Sequence, residues 1–303
     1  MASCIIPHLC ATCKTNGPLL QVQGLTKDYN GFRAIEDISF EASGGEIFGL
    51  LGPNGAGKTT TIRLISAILS PTRGTARICG YDVRETPEAV RRNIGMLTTE
   101  MGVYDRLSGR EYLRYFGALY SMAHDRTEAR IRELSQLLEM EDFLDRRTSS
   151  YSTGMKQKLS IARSVLHDPS IVILDEPTSG LDVLAAQTVL NFMRRSRDQG
   201  RLVVLSTHHM PDAEKLCNRA AILHHGRLLA VRTISELKSD TGTGNLEDAF
   251  LAMVKERPQE AKPANRKATI SARRLPVSRR LLIRIGIAVA VIIALQLWRM
   301  LTK

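Results

Sequence analysis

Aromatic residues make up only 5% of this 303-residue chain, with a single tryptophan, and none interleaves with the arginines of residues 255–280. Single-strand nucleic-acid binders pair basic grooves with stacking aromatics, so the formal charge of +11 does not point to that class of partner. Acidic residues are scarce toward the C-terminus: residues 255–303 hold twelve Lys/Arg against Glu256 and Glu260, which is ten of the eleven net charges. The rest of the chain is nearly neutral, and its basic surface belongs to a tail. Cysteine is sparse too. Five residues, odd in number and irregular in spacing with no secretory signal ahead of them, argue against a disulfide framework and for a reducing, cytosolic compartment. Cys4, His8, Cys10 and Cys13 offer a metal knuckle but lack a second pair at finger spacing, so residues 1–18 are expected to be a disordered extension. No internal repeat is visible.

What is present is a set of short apolar runs: 47–52, 94–97, 170–175, 201–207 and 220–223. Near-continuous apolar strands are buried on both faces, which predicts an α/β domain with a mostly parallel core sheet. Ahead of them, "LLQVQGLTKDYNGFRAIEDISFEASGGE" alternates apolar and polar residues around turn residues. It reads as an antiparallel edge layer to which "GTARICGYDV" adds. Between Leu107 and Ser150 strand signals give way to helical spacing, with Leu113, Phe116, Leu119 and Tyr120, then Ile131, Leu134, Leu137 and Leu138, predicting a helical insertion.

"GPNGAGKTT" (52–60) follows the apolar strand at 47–51 and opens a helical run, the strand–loop–helix setting of a P-loop. Gly52, Gly55 and Gly57 let main-chain N–H groups turn toward a phosphate chain, and a helix N-terminus adds positive potential. Lys58 would reach the β- and γ-phosphates of a nucleotide such as ATP, and the Thr59 hydroxyl would ligate Mg²⁺. "IVILDEP" (171–177) places Asp175 and Glu176 at the C-terminal end of a buried strand, where open α/β sheets hold ligands. Alternation sends the two carboxylates different ways: Asp175 to Mg²⁺, Glu176 to polarise an attacking water. "VVLSTHH" (203–209) ends the next strand with two histidines, of which His208 is assigned to the γ-phosphate. "YSTGMKQKLSIAR" (151–163) predicts a helix from Met155 or Lys156 with Ser152 and Gly154 at its N-terminus, a second anion site.

Together, "GPNGAGKTT", "STGMK" just before "SIVILDEPTSGLD", and "STH" after the next strand resemble the nucleotide-binding domain of ABC transporters over roughly residues 19–254. The resemblance implies that Ser152 and Gly154 contact the γ-phosphate held by another protomer's Lys58 loop, so that two domains sandwich two ATPs. It also implies nucleotide contacts for Asn54 and Thr60, an adenine-stacking role for Tyr29, and a place for Asp182 in a loop that couples the two sites. The helical subdomain would span about 107–168. "STGMK" in place of the usual Ser-Gly-Gly-Gln form resembles the NatA sodium-export type and its drug-export relatives. Where the family has a metal-touching glutamine after strand 94–97, this chain has Thr98, Thr99 and Glu100. "VYDRLSGREYL" matches the segment that meets a membrane subunit. Implied partners are therefore a second ATPase protomer and a polytopic permease. The competing class is a membrane-tethered ABC ATPase with a regulatory or mechanical role.

After the domain comes a basic Pro/Arg-rich linker, 255–280, suited to anionic lipid headgroups, and then an apolar stretch within 281–301. Leu281–Trp298 is 18 residues long with Arg284 and Gln296 inside it, at the lower limit for crossing ~30 Å of hydrocarbon. It is expected to form a C-terminal hydrophobic helix that spans the membrane or lies on it, with Arg284 and Arg299 snorkelling and Trp298 at the interface.

Overall fold

In a computed structural model of the chain, residues 17–98 and 102–256 are described. The N-terminal cysteine and histidine cluster, Thr99 and Glu100, nearly all of the basic linker, and the hydrophobic stretch at 281–301 lie outside the described residues. Among the described residues no helix is long and apolar enough to cross a membrane.

Two sheets form. In the first, β1 (Leu20–Tyr29) pairs antiparallel with β2 (Phe32–Ala42) and, on its other side, with β4 (Arg73–Ile78), which pairs in turn with β5 (Tyr81–Asp82). The second sheet contains β3 (Ile47–Leu51), β6 (Ile94–Leu97), β7 (Ile171–Asp175), β8 (Leu202–Thr207) and β9 (Arg219–His224), all parallel, with antiparallel β10 (Arg227–Thr233) at one edge. Its order is β10-β9-β3-β8-β7-β6. The mostly parallel core and the antiparallel layer are as expected. The β9–β10 hairpin is an addition: "AAIL" continues through His225 and Gly226 into a strand that packs beside β2 and joins the two sheets.

Period-two alternation divides the core. Ile47, Leu51, Val172, Leu174, Val203, Leu205 and Ile222 face one apolar cluster, which the helices cover. Phe48, Leu50, Ile171, Ile173, Leu202, Val204 and Leu223 face a second cluster, closed by the antiparallel sheet and by α1 (Lys58–Ile65). Strands buried on both faces must read as unbroken apolar runs, which is why they are visible in the sequence. Each buried Leu or Ile contributes roughly 1.5–3 kcal/mol of transfer free energy, so burial on both faces holds this sheet firmly.

The helical insertion contains α3 (Gly109–Leu119), opened by a capping box between Ser108 and Glu111, and α4 (His124–Leu137). Leu113, Ile131, Leu134 and Leu138 are buried as their spacing requires, but Leu119 is 61% exposed and Tyr120 is only partly covered. The apolar stripe of α3 therefore ends one turn earlier than the periodicity suggests. α5 spans Thr153–Val165 and begins two residues before the expected Met155. Ser152 is extended and its hydroxyl accepts from the Met155 N–H at 3.3 Å, so the cap sets the start ahead of the first apolar residue. α6 (Val183–Asp198) is capped by Asp182, and α7 (Met210–Leu216) follows β8. α2 (Pro87–Arg92), α8 (Ile234–Thr241) and α9 (Leu246–Glu256) complete the described α-helices.

Candidate active site

The C-terminal ends of β3, β7 and β8 are adjacent because those strands are neighbours in the sheet. The loop leaving β3 turns back over the sheet edge. At Gly52 (φ +154) a Cβ would lie 2.2 Å from the Leu223 carbonyl oxygen, and at Gly57 (φ +105) it would lie 2.6 Å from Ile35 Cγ2. Only glycine fits either place. Gly226 fastens this loop from outside: its N–H donates to the Ala56 carbonyl at 2.9 Å and its carbonyl accepts from Glu36 N–H at 2.8 Å. Asn54, Gly55 and Thr59 are exposed along the loop and Thr60 is partly covered. The first-turn N–H groups of α1 have no intrahelical acceptor, which makes this loop a cradle for anions.

Lys58 is only 6% exposed. Its Nζ donates to the Gly52 carbonyl at 2.8 Å and the Pro53 carbonyl at 3.3 Å and lies 3.7 Å from Glu176 Oε1. Burial pushes the amine pKa below its ordinary value, while Glu176 and Asp175 push it back. Asp175 is also buried. Its Oδ2 accepts from the Thr59 hydroxyl at 3.1 Å and its Oδ1 from the Ser206 hydroxyl at 2.6 Å. Glu176 faces elsewhere: Oε2 accepts from the Thr207 hydroxyl at 3.2 Å, and Oε1 accepts from the His208 N–H at 3.1 Å and sits 2.7 Å from His208 Nδ1. The Glu176 backbone is left-handed (φ +50) and is anchored by its N–H to the Ser206 carbonyl at 2.9 Å.

These five side chains, Lys58, Thr59, Asp175, Glu176 and His208, thus converge from three strand ends. Sequence reasoning missed the groups that aim them, Ser206 and Thr207, although "LST" stands directly before the histidines. The donor chemistry suits Mg²⁺: a hydroxyl and a carboxylate in contact supply two hard oxygens, and Mg²⁺ takes one or two protein carboxylates while filling its sphere with phosphate and water. No group of three or more His, Cys, Asp or Glu among the described residues is placed to hold a metal by itself.

The remaining residues gather in two other places. Ser152 and Asp182 cap α5 and α6, and a Cβ on Gly154 would lie 3.1 Å from Ala185 Cβ and 3.9 Å from Asp182 Oδ2, so the two helix N-termini sit together. Among the described residues no hydrogen bond or ion pair joins Ser152, Gly154 or Asp182 to the Lys58 loop of the same chain. Tyr29 ends β1 opposite Phe32, 40% exposed, with Lys27 Nζ 5.2 Å from its ring centre. Two residues beyond Phe32 on the same hairpin, the Ala34 carbonyl borders Gly57. Thr98 directly follows β6 and is half-buried.

Comparison with known proteins places this geometry in context. Residues 35–179 match the family model described as ABC transporter. The chain is similar to the ABC transporter ATP-binding protein NatA of Bacillus subtilis, 35% identical over 73% of this chain and 90% of that one. It is also similar to the daunorubicin/doxorubicin resistance ATP-binding protein DrrA of Streptomyces peucetius, 39% identical over 75% and 69%. Among solved structures, the ATP-binding subunit of an ABC transporter superposes with a TM-score of 0.72 at 33% identity, covering 78% of this chain and 99% of that one. A dimeric ATP-binding cassette in a post-hydrolysis state, bound to ADP and Pi, shares the fold with a TM-score of 0.64 at 22% identity, over 71% and 98%.

Proposed function

This chain belongs to the ATP-binding subunits of ABC transporters and is an ATPase, and from that premise we propose that it drives export through a separate polytopic membrane subunit. It works at the cytoplasmic face of the membrane as one half of a two-domain sandwich. The observation that carries the hydrolytic part of this reading is the convergence of Lys58, Thr59, Asp175, Glu176 and His208 at the ends of β3, β7 and β8, and the exporter part is supported by the similarity to the drug-resistance ATP-binding protein.

Each residue then has a role. Gly52, Asn54, Gly55, Gly57 and Thr60 present main-chain N–H groups to the phosphate chain, and Lys58 takes the β- and γ-phosphates. Thr59 and Asp175 would hold Mg²⁺, which when bound would neutralise phosphate charge. Glu176 accepts the proton of the attacking water, and His208, hydrogen-bonded to it, steadies the γ-phosphate end. Tyr29 offers an exposed ring to the adenine. Ser152, Gly154 and Asp182 serve the nucleotide of the neighbouring protomer, which agrees with the lack of any bond from them to their own Lys58 loop. Thr98 stands at the start of the segment that replaces the family's glutamine.

The drug-resistance relative supports a drug-like cargo, and the signature's resemblance to the sodium-export type keeps Na⁺ as the second reading. The test is to tag the E176Q variant in its native host, solubilise membranes in mild detergent with ATP, and identify what co-purifies by mass spectrometry. A stoichiometric polytopic partner is the expected result. Recovery of the chain alone from well-solubilised membranes would replace export by a tethered ATPase.

A further inference from the structure

Glu176, Pro177 and Thr178 are consecutive, and three different elements hold them. Glu176 is tied to β8 and the residue after it, through Ser206, Thr207 and His208. The Thr178 hydroxyl donates to Asp212 Oδ2 on α7 at 3.2 Å. Between them the Pro177 carbonyl accepts from Gln157 Nε2 on α5 at 2.9 Å. The turn needs such restraint, because a left-handed glutamate is an uncommon conformation that persists only when its surroundings impose it.

Gln157 sits on the helix that Ser152 caps. The body of α5 is locked in the core by Leu159, Ile161, Ala162 and Val165, all fully buried. Interiors packed this densely transmit a displacement rather than absorb it. Ser152 and Gln157 are five positions apart, roughly 7.5 Å along a helix axis, so a shift at the N-terminus of α5 reaches the Pro177 carbonyl through one side chain.

We propose that Gln157 is a positioning residue: by its hydrogen bond to the Pro177 carbonyl it fixes the turn that carries Glu176, and it makes the pose of that carboxylate depend on whether Ser152 and Gly154 of the same chain hold an anionic phosphate. Gln157 touches no reacting atom. The inference rests on the roles given above to Glu176 and to the Ser152–Gly154 site.

Two substitutions separate the hydrogen bond from the packing. Q157M keeps the length and removes the donor, whereas Q157K keeps an N–H donor. Steady-state hydrolysis by the full-length chain in solubilised membranes is measured against ATP concentration, together with affinity for a fluorescent ATP analogue and the unfolding temperature. Q157M is expected to lower kcat about three- to tenfold, as loss of one aligned hydrogen bond does, and to lower the Hill coefficient. Affinity should stay at the wild-type value, and Tm should move by less than about 2 °C. Q157K should restore kcat. Wild-type kcat in Q157M, in a preparation where E176Q is inactive, overturns the link and leaves the ATPase reading standing. Loss of affinity and Tm along with kcat, unrestored by Q157K, makes Gln157 structural and also overturns it. Wild-type turnover by E176Q removes the reading underneath instead.

Discussion

Lys58 is a buried cation whose partners are two main-chain carbonyls and one carboxylate, that of Glu176, to which the proposed chemistry also assigns a role. Truncation to alanine deletes the charge that would meet the phosphates and leaves Glu176 without its ion-pair partner. Hydrolysis by K58A should fall at least about 100-fold, the usual cost of removing a charge-stabilising donor, as phosphate-release assays would record. E176Q keeps the shape of the site and one acceptor oxygen but loses the proposed base; it should bind ATP normally and turn over about 10²–10⁴-fold more slowly. A third residue, remote from this chemistry, sets acid stability. His167 stacks on Tyr120 with ring centres 4.1 Å apart, its Nε2 lies 3.2 Å from the Ile94 carbonyl, and its buried Nδ1 has no partner. Nε2 must therefore carry the proton, and a second proton on Nδ1 would be stranded. Burial pushes its pKa from 6.5 down to about 4. Above 6.5 the ring is neutral in folded and unfolded chains alike; below it the unfolded chain binds a proton that the folded one refuses until about 4. Stability should then drop by roughly 3 kcal/mol as pH falls through that window. In H167F, which keeps an aromatic ring against Tyr120, thermal unfolding scans should show that slope flattened.

At the scale of elements, what could be read from the sequence follows from what burial imposes on it. β3, β6, β7 and β8 are covered on both faces, so their apolar runs coincide with the strands almost to the residue. β10 is partly exposed along most of its length, and its own short apolar run, 228–231, is bounded by Arg227 and Arg232 and is not read as a strand from the sequence. α5 starts earlier than its apolar period because Ser152 is a cap, and a cap is set by main-chain geometry rather than by hydrophobicity. The side chains that would do the chemistry could be placed because phosphate loops and strand-end carboxylates have fixed spacing. Their supports could not: Gln157 reaches Pro177 across twenty residues of chain, and an amide at that distance leaves no periodic trace. The cap at Ser152 also allows structure and proposed function to be separated. S152A should lose about 1 kcal/mol of helix stabilisation, seen as a fall in Tm of about 2–4 °C for a domain of this size. S152D keeps a good cap and so keeps Tm, but sets a negative charge where the neighbour's phosphate would lie. It should lose hydrolysis by at least tenfold, through like-charge repulsion at close range. Full activity in S152D would detach Ser152 from the nucleotide while leaving its capping role intact.

At the scale of the molecule, the site described in one chain is half of what the proposed reaction needs. The Lys58 loop lies at one set of strand ends, while Ser152, Gly154 and Asp182 form a separate cluster at two helix N-termini. Beside that cluster Val183 and Leu184 are 85% and 82% exposed, two aliphatic side chains at the start of α6 with little protein around them. A capped helix has no local need for apolar residues in its first turn. Their exposure next to Asp182 supports a face that a second copy covers when ATP is held between the two domains. V183D/L184D, with two charges on that face, should still bind the fluorescent ATP analogue, because both side chains stand largely in solvent. Light scattering after size exclusion should find the E176Q chain with ATP as a dimer and the same chain carrying V183D/L184D as a monomer, with hydrolysis lost from V183D/L184D made in the otherwise native chain. A stable dimer in the charged variant would move the interface to another face, and the Ser152 cluster would then have no nucleotide to serve.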